Sequence, residues 1–155
     1  MKNFLFLLGA TVLFACGDGT DNSAAAEAQL AAQRELSDAA MSVHDEVMPY
    51  MGELNRMKRQ IEGFVESESE TLPEATQEQA LRVAEELEDA AEAMNDWMAR
   101  HLHPLDKLRA EGKTHEEIMT LLKTSNETAA TMNAQLKRAR ENGRATLTAL
   151  QRQAE

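Results

Sequence analysis

The stretch Ala40-Met41-Ser42-Val43-His44-Asp45-Glu46-Val47-Met48-Pro49-Tyr50-Met51-Gly52-Glu53-Leu54-Asn55-Arg56-Met57-Lys58-Arg59-Gln60-Ile61-Glu62-Gly63-Phe64 decides the fold. Ala40, Val43, Val47, Tyr50, Leu54, Met57, Ile61 and Phe64 recur at alternating steps of three and four residues, the spacing of one helix face packed into a bundle. Met41, His44, Met48 and Met51 widen that stripe on one side, as a helix that meets two neighbours requires. Pro49 cannot donate to the carbonyl of Asp45, so a kink is expected there. The stripe keeps its phase across Pro49, which favours one bent helix over two separate ones.

On the C-terminal side, Glu66-Ser67-Glu68-Ser69-Glu70 is a polar turn. Thr71-Leu72-Pro73-Glu74 has the form of a capping box with proline near the first helical position. A second helix then carries Ala80, Ala84, Leu87, Ala91, Met94, Met98 and His101 at the same spacing, with Val83, Ala90 and Trp97 beside them. His103-Pro104 stops it. Pro104 to Lys113 reads as a connector with one short turn around Leu105–Leu108. Thr114-His115-Glu116-Glu117 is another capping box, opening a third helix through Ile118, Leu122, Ser125, Ala129, Met132, Leu136, Ala139, Gly143, Thr146 and Leu150. Gly143 is its weak point, costing about 1 kcal/mol relative to alanine. On the N-terminal side the helical period begins near Glu27, and Gly17-Asp18-Gly19-Thr20-Asp21-Asn22-Ser23 reads as a flexible spacer.

The expected fold is all-α: an up-down-up bundle of three long helices over residues 27–155, or four if the bend at Pro49 counts as a break. Folding back about the two turns would set Arg56, Lys58 and Arg59 near Glu85, and Lys137, Arg138 and Arg140 near Glu78. Such exposed pairs are each worth well under about 1 kcal/mol and set register more than stability.

With 43 % apolar but only 4 % aromatic residues, the 155-residue chain suits helices that bury alanine, leucine and methionine rather than a thick aromatic core. Its net charge of −11 argues against nucleic acid as a partner and against electrostatic adhesion to anionic lipid. Membrane association must therefore come from something apolar. Lys2 followed by Phe4-Leu5-Phe6-Leu7-Leu8-Gly9-Ala10-Thr11-Val12-Leu13-Phe14-Ala15 has the form of a secretory leader, too short to span a bilayer. The junction Leu13-Phe14-Ala15-Cys16 resembles a bacterial lipobox, although Phe14 is larger than the residue usual at its place. The resemblance implies cleavage ahead of Cys16 and its acylation. The other reading is an ordinary cleaved leader that leaves Cys16 as a thiol.

Cys16 has no second cysteine to pair with. Two or three acyl chains on it would give a stable tether to the bilayer. The domain plan is thus a lipoprotein signal peptide over 1–15, a lipidated cysteine and spacer over 16–26, and a helical domain over 27–155. Gly17, rather than Asp, after the cysteine looks like an outer-membrane sorting signal. The acidic residues just beyond it resemble the surface-export tags of Bacteroidota lipoproteins.

Most catalytic patterns are missing. There is no Gly-x-Ser-x-Gly elbow, P-loop or dinucleotide fingerprint. His115-Glu116-Glu117-Ile118-Met119 begins like a zinc-protease helix, but Met119 stands where the second histidine is needed. None of His44, His101, His103 and His115 follows a glutamate by three residues, as a di-iron bundle requires. One cluster carries chemistry. With the first turn centred near residue 70, His44 is expected opposite Trp97 and Met48 near Met94, with Met98 and His101 a turn away. Imidazole and thioethers in one layer could hold Cu(I), and a His–Met pair across a bundle could hold haem. The same residues also make an ordinary core, methionine filling gaps and packing its sulfur on Trp97, while His44 bonds a nearby carboxylate. On that second reading there is no cofactor.

Val43-His44-Asp45-Glu46-Val47-Met48-Pro49-Tyr50-Met51-Gly52, followed by Met94-Asn95-Asp96-Trp97-Met98, resembles a group of small Bacteroidota lipoproteins labelled "viral A-type inclusion protein". That label reflects generic coiled-helix similarity and carries no viral function. The resemblance implies a lipidated helical protein and no assigned reaction. The functional expectation is a membrane-anchored bundle of the bacterial envelope, not an enzyme, that binds a protein partner or a second copy through its helices. The alternative is a periplasmic bundle that binds copper or haem through the His/Met layer.

Overall fold

In the computed structural model the described residues, 19–153, form α1 (Gly19–Ser67), α2 (Glu74–Arg100), the short α3 (Leu105–Ala110) and α4 (His115–Gln153). The leader and Cys16 lie outside the described residues. α1 runs unbroken through Pro49, which sits on its exposed side. The proline is tolerated because the seven-residue column on either side of it stays buried: Ala40 and Val47 before, Leu54 and Ile61 after.

The three long helices pack up-down-up. Asn133 and Lys137 of α4 reach Glu46 of α1, and Arg140 and Arg144 reach Glu53. Both partners advance by seven residues together, which makes α1 and α4 a parallel pair in constant heptad register. α2 runs antiparallel alongside both, bridged by Lys58 to Glu88 at 2.9 Å and by Asn142 to Glu86 at 2.8 Å. Leu87 and Met94 of α2 meet Val47, Leu54 and Ile61 of α1 and Leu136 and Leu150 of α4 in one core, all nearly inaccessible to solvent. Gly143 lets α4 come close. A Cβ there would stand 3.1 Å from both methyls of Leu87 and 3.3 Å from Cε of Met57.

Several local expectations are corrected. The helix starts at Gly19 rather than near Glu27, because Ala24-Ala25-Ala26 and Ala28 are the strongest helix formers and need no packing partner. Residues 22–31 are all exposed. The box at Thr71 does not form. Pro73 keeps Leu72 out of the helix and occupies the N-cap itself, without a side-chain cap, while the Thr71 hydroxyl donates back to the Glu68 carbonyl and carboxylate. The second box does form: Glu117 accepts from the Thr114 amide at 2.8 Å, and the Glu117 amide donates to the Thr114 hydroxyl. Lys137 and Arg140 turn to α1, not to Glu78, which pairs instead with Arg82 on its own helix. α4 pairs with α1 in parallel heptad register, which turns this face of α4 toward α1 rather than α2.

Candidate functional site

The His/Met layer is the residue set with the most chemistry, and the structure divides it. Met94 is fully buried in the main core beside Trp97, and Met98 is half-buried against that core. His101 turns the other way, into an open groove of about 390 Å³ between α2 and α4, lined also by Ala93, Arg100 and Thr131. Met48 is 40 % exposed and Met41 38 %. His44 is half-buried, and its Nδ1 lies 2.9 Å from Oδ1 of Asp45. His44 and Met48 therefore stand at the surface of α1, while Met94 is spent on packing. Met98 stays level with Met48 across the α1–α2 seam, since the two have the same sum of residue numbers as the Lys58–Glu88 bridge. Among the described residues no three His, Cys, Asp or Glu side chains converge as a metal site.

Trp97 is 2 % exposed, and its indole donates to the Ser125 carbonyl at 3.0 Å. It thus ties α2 to α4 as well as meeting Met94. The rim of the groove carries both signs of charge, Arg100 pairing with Asp96 at 2.6 Å and Glu127 standing across on α4. Burial, reinforced by the neighbouring His101, holds the His103 imidazole below its usual range.

A second polar cluster went unread in the sequence. Gln33, only 4 % exposed, accepts from Nη2 and Nε of Arg109 at 2.9 and 3.2 Å, and its amide lies 3.1 Å from Nδ1 of His115. Arg109 can only donate, so the Gln33 oxygen must face it and the NH₂ must face His115. That assigns Nδ1 of His115 as an acceptor. The cluster docks α3 and the start of α4 onto α1, next to a small apolar core of Leu108, Ile118 and Leu122. The signal for it was present, since Gln33 lies seven residues before Ala40 in the buried column of α1.

No family model, curated protein or solved structure matches the chain.

Proposed function

We propose that this chain is a lipoprotein of the bacterial envelope, held in the outer membrane by acylated Cys16, whose helical bundle has a binding or structural role and no catalysis. The observation that carries the reading is in the sequence: a basic residue, about a dozen apolar residues, and then the only cysteine of the chain. The resemblance to small Bacteroidota lipoproteins supports the same assignment. Two features of the folded part are consistent with it. Among the described residues no helix is long and apolar enough to cross a membrane. The exposed helical residues 22–31 lie a few residues after Cys16 in sequence and would set the bundle off from the bilayer. The bundle's partners are then a protein or a second copy met through helix faces, and its acidity turns nucleic acid away.

The test is fractionation of cells that express the wild-type chain or Cys16→Ser. Wild type should pellet with outer membranes, and the variant should leave the membrane fraction. Recovery of the variant with membranes, undiminished by a carbonate wash, overturns the proposal.

A further inference from the structure

Of the large apolar side chains exposed among the described residues, Met41 and Met48 are two, and they bracket His44 on one face of α1. Met41 precedes His44 by three residues and Met48 follows it by four, the offsets at which helical side chains are neighbours, with Cβ atoms about 5–6 Å apart. Other methionines have a different job: Met57, Met94 and Met132 are buried in the core. Packing accounts for those, whereas Met41 and Met48 stay 38 % and 40 % exposed at the edge of the stripe.

His44 is held by a carboxylate on its own helix. A carboxylate only accepts hydrogen bonds, so the 2.9 Å contact with Asp45 places the imidazole proton on Nδ1. Nε2 is then the atom with a free lone pair, its ring orientation fixed by a carboxylate as in many histidine metal ligands. Two thioethers and one imidazole nitrogen are soft, neutral donors. They suit a monovalent soft ion, whereas Mg²⁺ and Ca²⁺ demand oxygen and Zn²⁺ favours thiolate, imidazole and carboxylate. The acidic chain supplies the general attraction for a cation.

We propose that Met41, His44 and Met48 form a surface site on α1 for Cu(I), or its soft congener Ag(I), with Asp45 as the residue that positions His44. The site differs from a layer inside the bundle in using one helix and leaving Met94 to the core. It is independent of the lipid anchor.

The experiment uses the full chain carrying Cys16→Ser, so that no thiol competes, titrated with Cu(I) buffered by a chromophoric chelator. The expected result is one Cu(I) withdrawn per chain. Met41→Leu, Met48→Leu and His44→Gln should each weaken binding by more than about tenfold, and Asp45→Asn by roughly 10- to 100-fold, the range for loss of an outer partner of a ligating histidine. Melting of the metal-free variants should match wild type, since these positions are exposed or half-buried. Methionine-methyl NMR should show Met41 and Met48 moving with Cu(I) while Met57, Met94 and Met132 stay in place. Equal affinity across the variants, or shifts centred on Met94, overturns the proposal. So does a change of oligomeric state in the variants with Cu(I) uptake unaltered, which would make this face a protein-docking surface.

Discussion

At the scale of single residues, Gly143 shows how one position can be misjudged from propensity alone. In an isolated helix an alanine there would gain about 1 kcal/mol. In the bundle its Cβ would press on both methyls of Leu87, which is itself almost fully buried, and on Met57 from the third side. Leu87 cannot move outward without disturbing α1, α2 and α4 together. Overpacking of such a site costs about 1–3 kcal/mol, more than the helix gains. Gly143→Ala should therefore lower stability in urea by about 1 kcal/mol, and Gly143→Leu by more. A stabilised Gly143→Ala would mean that the three helices meet more loosely than the distances imply. Gln33 teaches the same lesson from the polar side. Its place in a buried column is visible as a spacing, but what makes burial tolerable, Arg109 and His115, lies more than seventy residues away in sequence.

At the scale of elements, the α1–α4 seam is where charge matters most. Burial by itself would raise the Glu53 carboxyl, but hydrogen bonds from Arg140 and Arg144 outweigh it and hold the group below the ordinary value of 4.5. Arg140 also lies over the Tyr50 ring, 4.1 Å from its centre. A depressed carboxyl stabilises the fold fully above its unfolded value and loses that contribution as pH falls through its folded value. The seam should thus weaken below about pH 4.5. Glu53→Gln should cost about 1 kcal/mol near neutrality, the upper end for a surface network, and should make the acid limb of the stability profile shallower. An unchanged acid limb in urea melts taken from pH 6 to pH 3 would assign the acid loss elsewhere.

This seam also marks where the sequence stops being legible. Every α4 position read as core is buried except Thr146, because a heptad stripe reports which face is covered. It does not report by which neighbour. The stripe leaves Lys137 and Arg140 free to lie beside Glu78 on α2, and the structure sets them on Glu46 and Glu53 of α1 instead. The His/Met layer is divided for a related reason. The stripe placed Met48 and Met94 at matching heights, but one faces out and the other in, a difference set by which side of α1 the bundle leaves open.

At the scale of the whole molecule, α1 is longer than the bundle it belongs to. Residues 22–31 are exposed throughout, and Gln33 is the first buried side chain among those described. At about 1.5 Å per residue, that overhang is roughly 15 Å of exposed, alanine-rich helix. Helix held only by propensity adds little to global stability, because short isolated helices are marginal in water. Internal deletion of residues 22–31 should therefore reduce the helical signal while leaving the cooperative melt almost unmoved. A deletion carried on through Leu36 should behave differently. It removes Gln33, the partner of Arg109 and His115, and takes away the carbonyl of Leu36 that accepts from Asn126 at 2.8 Å. Leu36 also packs against the small core of Leu108, Ile118 and Leu122, so the longer deletion strips apolar cover as well as polar partners and should lower the midpoint clearly. Circular dichroism melts of the two deletions decide the matter. If the shorter deletion alone drops the midpoint steeply, the overhang is part of a packed surface, either against a second copy of the chain or against a partner, and not a spacer between anchor and bundle.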